Sequence, residues 1–577
     1  MCGIIGTIGN IPSKTEFEKA RDLLSHRGPD DAGLHYDKDS EVALGHRRLS
    51  IIDLSKAGHQ PMCSADKRYT IIFNGEIYNY LELKEQLKNK YTFTTHTDTE
   101  VLLAAYIVWG KDCLQKLNGM FSFAVWDNKE KELFAVRDRL GIKPFYYHVS
   151  SKGFIFASEI KGVLALNVKA KPNNKMIYDY LARGLYDHSK ETFFNEIHKL
   201  PAGHFLTYKN GILKIEKYWD LADMCKTSIN ITQEEAVNKF IKLFSDSIKL
   251  RLRSDVEVGV NLSSGLDSAS ILFFAEHLSG KNLRTFSMGS SENEYDETLL
   301  ISPTLSDKQK TKWSIDILRP EEIEMLIDKI LKSQDEPYGG IPNIAYHKLA
   351  ELEKKEGVVV ILEGQGGDEL LAGYVYYQTK YIKEAFTQAG YSQDMSKEVN
   401  TRVLNEKFIT QHAYEPDFKK PFDSQLLNAQ YHDIVYSKLP RILRFNDRLS
   451  MSASREYREP LLDHRLVEFL FFLPENIKIH EDVQKFLLRE AMKNIVPHTT
   501  ATRPKKTFGA MQIPWFRKHL KKYIMTVLLS ESFAGRPYWN QDEVLKEAER
   551  FFSGEGDNSF FIWQWVNLEL WLREYID

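Results

Sequence analysis

Two stretches of the 577-residue chain hold side chains whose types and spacing suit chemistry. The first is Ser263-Ser264-Gly265-Leu266-Asp267-Ser268. The apolar, β-branched run Val258-Gly259-Val260-Asn261-Leu262 enters it and apolar residues at helical spacing leave it, an order that predicts strand, tight loop, helix. Backbone N–H groups of such a loop and of the first helical turn point at one spot and can hold a phosphate. No Lys follows the glycine, so this is not the G-x-x-x-x-G-K-S/T loop of β- and γ-phosphate binders. Asp267 and Ser268 stand at its end instead, and a carboxylate beside phosphate calls for a cation such as Mg²⁺. An ordinary strand-to-helix turn is the plain alternative. The second stretch is the N-terminus. Removal of Met1 would leave Cys2 with a free α-amino group, whose pKa of about 8 lets it take the thiol's proton, as such an amine serves a threonine nucleophile.

These groups need elements to hold them. The first half reads as β-rich: a strand at 69–73 runs into Asn74-Gly75-Glu76, strands at 121–127 and 133–137 flank a turn at 128–131, and 145–149 and 154–158 form a similar hairpin. Helical spacing marks 15–25, 80–88 and 99–108. Strands grouped together with a few helices predict stacked antiparallel sheets covered by helices. Strand-like sequence continues through 203–219, and 221–231 is polar enough to be a linker. At Thr232-Gln233-Glu234-Glu235 a capping box opens a helix. Strands beginning at 258, 283 and 358 then alternate with helices, one of them around 320–332. Such alternation predicts a parallel sheet with ligands at the carboxyl ends of its strands. Glu363-Gly364-Gln365-Gly366-Gly367-Asp368-Glu369 leaves the third strand, so both Gly-rich loops fall at such ends. The remainder is mostly helical and rich in aromatics.

Composition narrows the class. Hydrophobic content of 43% and charged content of 27% are those of a soluble globular protein. A net charge of −3 gives no footprint for nucleic acid or an anionic membrane, and no apolar run approaches the roughly 18 residues a membrane span needs. Cys2, Cys63, Cys113 and Cys225 lie far apart, without metal-type spacing. They suit a reducing compartment, and a cytoplasmic location is expected.

The loop at 263–268 resembles the S-G-G-x-D-S pyrophosphate loop of ATP pyrophosphatases, with Ser264 where Gly is usual. If that position needs φ > 0, a Ser there is strained by about 1 kcal/mol or more. Met1-Cys2-Gly3-Ile4, His26-Arg27-Gly28-Pro29-Asp30, Arg48-Leu49-Ser50-Ile51, Asn74-Gly75-Glu76-Ile77-Tyr78-Asn79 and Asp98 together resemble the glutaminase domain of class II glutamine amidotransferases. That resemblance implies an N-terminal nucleophile hydrolase sandwich (αββα, α+β class) over 2–210, with a linker at 211–231. It implies glutamine hydrolysis through a Cys2 thioester, an oxyanion hole from Asn74 and the Gly75 N–H, and glutamine held by Arg48, Asn74, Glu76 and Asp98.

Both halves in this order resemble glutamine-dependent asparagine synthetases. Further matches are Tyr295-Asp296-Glu297, Gly373-Tyr374, Asn446-Asp447-Arg448, Arg458-Glu459-Pro460-Leu461-Leu462-Asp463, Lys485 and Arg503-Pro504-Lys505-Lys506. The resemblance implies an α/β parallel-sheet ATP-pyrophosphatase domain over 232–577, ending in a helical part. ATP and aspartate would give β-aspartyl-AMP, which ammonia from the first site attacks after crossing an internal tunnel. ATP would be held by Leu262, Ser263, Ser264, Gly265, Asp267, Ser268, Met288, Glu363 and Gly364, Mg²⁺ by Asp267 and Asp368, and phosphate charge would be met by Lys485. By pattern alone, Lys485 reads as a solvated helix lysine.

One departure bears on the substrate. The family usually has S-G-E-G-S-D-E at the second loop, its first Glu beside the reacting carboxylate. Here that intermediate-forming position is Gln365, which cannot act as acid or base; Glu363 lies two residues earlier. The expected acceptor is aspartate, with another carboxylate, such as a uronic acid or a metabolite, as the alternative. A homodimer is expected by analogy. A third reading, a plain glutaminase or binding partner with an inactive second half, forbids pyrophosphate release.

Overall fold

The computed structural model describes residues 2–224, 229–305, 311–378, 401–481, 483–503, 511–556 and 558–577. Cys225, and Pro504-Lys505-Lys506 of the last motif, lie outside the described residues.

The first half holds twelve strands: β1 (Gly3–Gly9), β2 (Asp31–Asp37), β3 (Val42–Arg48), β4 (Met62–Cys63), β5 (Tyr69–Ile77), β6 (Gly119–Asp127), β7 (Glu132–Arg137), β8 (Tyr146–Ser150), β9 (Gly153–Ala157), β10 (His198–Lys199), β11 (His204–Lys209) and β12 (Ile212–Lys217). They form two antiparallel sheets, ordered β10-β8-β9-β1-β3-β2 and β12-β11-β7-β6-β5-β4. Strand alternation explains the layers. In β1, Ile4 and Ile8 face Ile72, Ala124 and Trp126 of the other sheet, whereas Ile5 points outward to Phe17 and Ala20 of the helix Lys14–Asp22. The helix Asp98–Trp109 covers the second sheet with Leu102 and Ala105 against Phe73 and Phe123. The result is the expected αββα sandwich.

A boundary at 210 requires correction. It cuts the β11–β12 hairpin, which pairs from His204↔Lys217 to Lys209↔Ile212, so the sheet runs to 217, and a short helix, Leu221–Met224, follows. Asn74-Gly75 is also no turn. It lies inside β5, paired with Ser122 and Phe121 of β6, because antiparallel pairing with a strand distant in sequence overrides the local turn preference.

The second half is built on a parallel sheet of β13 (Val258–Asn261), β14 (Arg284–Ser290), β15 (Trp313–Leu318), β16 (Val360–Leu362) and β17 (Glu456–Arg458), in the order β15-β14-β13-β16-β17. The capping box forms as read: the Thr232 hydroxyl accepts from the Glu235 N–H, and Glu235 accepts from the Thr232 N–H. Its helix, Gln233–Arg251, and the helix Leu266–Ser279 bury Phe240, Phe244, Ile271 and Leu272 in one core with Val260 and Leu362. The helix Ile341–Lys355 packs Leu349 against Phe286 and Ile361. Helices make up most of the chain beyond β17, ending with Ser559–Tyr575. Strands β13 and β16 are neighbours in register, Val260 opposite Leu362, so the two Gly-rich loops leave the sheet side by side.

Buried ion pairs lock the halves together. Arg27, fully buried, donates to both carboxylate oxygens of Asp447 at 2.8 and 3.1 Å, to Glu159 at 2.8 Å, and through Nε to the Cys2 carbonyl at 3.0 Å. Arg458 Nη2 lies 3.6 Å from Glu76. Removing one partner would strand a buried charge, which gives the His26-Arg27, Asn446-Asp447-Arg448 and Arg458 motifs a structural role at this interface.

Candidate active site

The chain presents two sites. At the first, Cys2 begins just before β1, buried beneath Leu49 and Ile51 of the segment after β3. The Cys2 N–H donates to Asn74 Oδ1 at 2.9 Å. That bond fixes the amide's orientation, and Asn74 Nδ2 is buried with no partner among the described residues. An unpaired buried donor costs free energy unless a ligand meets it, and this one is aimed beside the candidate nucleophile. Gly75 is needed there: φ is +151° and a Cβ would stand 2.1 Å from the Met120 carbonyl. Burial pushes the Cys2 thiol above its ordinary range, against the backbone at Leu49 and the charge of Arg48.

Asp98 and Glu76 share this pocket. Asp98 Oδ2 accepts from the Ile77 N–H at 3.0 Å. Burial pushes Asp98 up to about 6 and holds Glu76 well above the usual carboxylate range, with Glu456 and Asp98 adding repulsion. Arg48 lines the pocket but is not a free fork. Its guanidinium donates to the carbonyls of Ser55 at 2.8 Å and Ile52 at 3.3 Å, and to that of Asp53. The free volume around Cys2 is about 20 Å³, room for about one water. Any ligand larger than a water molecule would need the lining of this pocket to move.

The second site is a 390 Å³ cavity at the carboxyl ends of β13, β14 and β16, within the range of small-molecule sites. Every residue expected to hold ATP, from Leu262 to Ser268 together with Met288, Glu363 and Gly364, lines it, as do Gln365, Asp368 and Lys485. Ser268 Oγ meets the Ser263 N–H at 3.1 Å and Ser263 Oγ at 3.0 Å, closing the loop on itself. Ser264 corrects the strain argument. It is absent from the left-handed residues among those described, and its hydroxyl donates to Glu297 at 2.8 Å. The Tyr295-Asp296-Glu297 motif thus braces the loop from outside, and Arg503 Nη1 donates to the Ser264 carbonyl at 3.3 Å.

Lys485 is no solvated lysine. It is buried, with φ at +52° immediately before the helix Phe486–Met492, a left-handed conformation that costs a non-glycine residue free energy and clusters at functional sites. Its ammonium donates to Asp267 at 2.5 Å and lies 2.9 Å from Asp368. Burial opposes that charge, but the two carboxylates outweigh burial and hold the group above its ordinary range. Gly373 lets the chain close on this triad, since a Cβ there would stand 2.2 Å from Asp368 Oδ1 and 2.3 Å from Lys485 Cε.

The donor set fits Mg²⁺. Among the described residues no group of three or more His, Cys, Asp and Glu side chains is placed to hold a metal. Mg²⁺ needs only one or two carboxylates when phosphate oxygens and water complete its shell, and Asp267 and Asp368 supply two beside the phosphate loop.

Three residues of this cavity were missed as functional candidates. Asn261 follows Val260 as Glu363 follows Leu362 in the parallel register, and its amide donates to Glu363 Oε1. Tyr346, on the helix Ile341–Lys355, accepts from Gln365 Nε2 at 3.2 Å. Glu297 was quoted only within its motif. A polar residue ending a β-strand that flanks a Gly-rich loop was the available signal for Asn261.

Comparison with known proteins agrees with this geometry. Residues 1–219 match the family described as glutamine amidotransferase domain, and residues 239–573 match asparagine synthase. Glutamine-hydrolysing asparagine synthetase 3 of Bacillus subtilis is 31% identical over 91% of this chain and 90% of its own length. Putative glutamine-hydrolysing asparagine synthetase 2 of Methanocaldococcus jannaschii is 37% identical over 71% of this chain and 84% of its own. Amidase chyE of Penicillium rubens is 27% identical over 93% and 91%.

Proposed function

Because the chain belongs to the asparagine synthetase family of glutamine-hydrolysing ligases, we propose that it makes asparagine from aspartate, ATP and glutamine through an acyl-adenylate. The observation that carries this reading is the Asp267–Lys485–Asp368 triad at the mouth of the phosphate loop. It gathers one mobile cation and two metal-type carboxylates where the α–β bond of ATP would break.

In this reading Cys2 attacks the side-chain amide of glutamine, its proton passing to its own α-amine once Met1 is removed. Asn74 Nδ2 and the Gly75 N–H meet the oxyanion. Asp98 and Glu76 take the glutamine ammonium, and Arg48, released from its carbonyls, takes the carboxylate. Ammonia then passes to the second site; Leu49 and Ile52 of the Cys2 pocket share one apolar cluster with Leu262 of the second cavity. At the second site the loop amides and Ser268 hold the pyrophosphate, and Lys485 balances its growing charge. Mg²⁺ at Asp267 and Asp368 would neutralise the phosphates when bound. The division of labour falls between residues up to 217 and those from 232 onward.

Gln365 favours a second reading, in which the amidated carboxylate is not aspartate but a uronic acid or another metabolite; the amidase-named relative is compatible with it. Pyrophosphate release with aspartate present or absent, with the product identified by mass, separates the two readings.

Two consequences concern the first site. Asn74→Ala is expected to lower kcat for glutamine hydrolysis about 100- to 1,000-fold, the usual cost of an oxyanion donor, with KM little changed; steady-state kinetics check it. Asp98 must be ionised to hold an ammonium, and its folded value stands at about 6. Hence kcat/KM for glutamine should fall as pH drops through 6, with a further rise above it as the α-amine loses its proton at about 8, and Asp98→Asn should be weak at every pH.

A further inference from the structure

Position 365 lacks the carboxylate expected beside the reacting centre, yet the cavity still needs a base. When ammonia adds to an acyl-adenylate, the new C–N bond takes the nitrogen lone pair and the carbonyl pair moves onto oxygen. The nitrogen then bears a surplus proton. That proton must leave before the carbonyl re-forms and the C–O bond to AMP breaks, AMP departing with its electron pair.

Four carboxylates line the cavity among the described residues: Asp267, Glu297, Glu363 and Asp368. Asp267 and Asp368 are committed to the Lys485 ammonium. Glu297 accepts from the hydroxyl and N–H of Ser264 and holds the phosphate loop. Glu363 is held differently, by two neutral amides: Asn261 Nδ2 donates to Oε1, and Gln365 Nε2 donates to Oε2 at 3.4 Å. Gln365 Nε2 also donates to Tyr346 Oη, which ties it to the cavity wall. The Glu363 carboxyl therefore lies against the side chain at 365, in the same cavity, and among the described residues no ammonium or guanidinium is paired with it.

We propose that Glu363 is the carboxylate that accepts the proton from the attacking ammonia, and that Gln365 is the positioning residue that aims it. The inference deepens the ligase reading and rests on it. It also explains the amide at 365, because a second carboxylate 3.4 Å from Glu363 would force the pair to share a proton. Burial pushes Glu363 up to about 7, while the bonds from Asn261 and Gln365 draw it down, which suits a base working near neutrality. The other titratable groups facing it are Tyr346 and Glu353 of the helix Ile341–Lys355, and Tyr457 and Glu459 in and after β17. The phenols do not ionise near neutrality: burial holds Tyr346 and Tyr457 above their ordinary range. Glu353 is buried and accepts from the Tyr457 hydroxyl at 2.9 Å.

The test uses the full-length enzyme with ammonium chloride as nitrogen source, so that Cys2 is bypassed. Acceptor-dependent ATP–pyrophosphate exchange reports adenylate formation, and amide yield reports the later step. In Glu363→Gln, glutamine hydrolysis, which belongs to the other site, should stay within about twofold of wild type, while kcat for amide formation falls about 100-fold or more relative to the exchange measured in the same variant. Measured at constant free NH₃, the rise of that kcat with pH through about 7 should flatten. Glu363→Asp, which keeps a carboxylate, should retain at least about tenfold more activity than Glu363→Gln. Amide formation at the wild-type rate in Glu363→Gln, or equal loss of exchange and amide, would overturn the assignment. Absence of exchange in the wild type with every carboxylate would instead overturn the ligase reading, and this inference with it.

Discussion

Cys2→Ala should eliminate glutamine-dependent amide formation and leave ammonia-dependent formation at the wild-type rate. The geometry makes this loss large. In the proposed mechanism Asn74, Gly75, Asp98 and Glu76 bind and polarise the substrate, but none of them is a nucleophile. The Cys2 N–H bond to Asn74 and the Cys2 carbonyl bond from Arg27 are backbone contacts that alanine retains, so the pocket and the Arg27–Asp447 lock should survive the substitution. Loss of the nucleophile alone should lower glutamine hydrolysis about 10⁴-fold or more. Ammonium chloride then supplies the second site directly. Retained glutaminase activity would dismiss Cys2 as nucleophile, and parallel loss of the ammonia-dependent reaction would show that the sites do not work separately.

Lys485→Met should produce the opposite pattern: carboxylate-dependent pyrophosphate release falls about 1,000-fold, while glutamine hydrolysis continues. The ammonium is the shared partner of Asp267 and Asp368, at 2.5 and 2.9 Å. Without it two carboxylates face each other beside the phosphate loop, and nothing mobile balances the charge that develops as the α–β bond breaks. Methionine keeps most of the stem's volume and leaves the left-handed backbone to the same local sequence. Excess Mg²⁺ should recover only part of the rate, because a metal held by Asp267 and Asp368 would relieve their repulsion without replacing the Lys485 ammonium. Pyrophosphate release and glutaminase assays on one preparation decide it. Equal loss of both activities would show a folding defect, not a catalytic one.

How far the sequence revealed this arrangement depends on the kind of signal each element has. The hairpins of the first half and the capped helix at Thr232 were legible because local pattern and tertiary environment agree. β17 was not legible. Its Glu456-Tyr457-Arg458 has no apolar alternation, and it is buried because Arg458 Nε donates to Glu456 at 2.6 Å and its guanidinium is further met by the Arg251 and Arg253 carbonyls. β15 was hidden for another reason. It is an edge strand, half-exposed along most of its length, so it lacks the continuous apolar run that marks a buried parallel strand. Asn74-Gly75 shows the converse: a strong local turn signal overruled by nine paired residues of β5 and β6.

At the sites, the loop residues named from the sequence line the cavity, but the contact that register makes between Glu363 and Asn261 was not legible. The Ser/Gly loop is a phosphate-loop candidate by its own pattern, and its residues from Ser263 to Ser268 all line the cavity. Glu363 and Asn261 meet only because β13 and β16 are parallel neighbours, a fact of topology that spacing along one segment does not contain. Arg48 was assigned a fork's role, which its type allows, but the carbonyls that hold it belong to a segment whose path only the fold discloses.

The most direct test of the account is one reaction with amide-¹⁵N-labelled glutamine, ATP, Mg²⁺ and aspartate, following pyrophosphate and the mass of the product. The account predicts pyrophosphate released only when the carboxylate is present, in step with a product amide that contains the label. Glutamine hydrolysed at full rate, with all label as free ammonia and no pyrophosphate with aspartate or with a panel of uronic and amino acids, would contradict it.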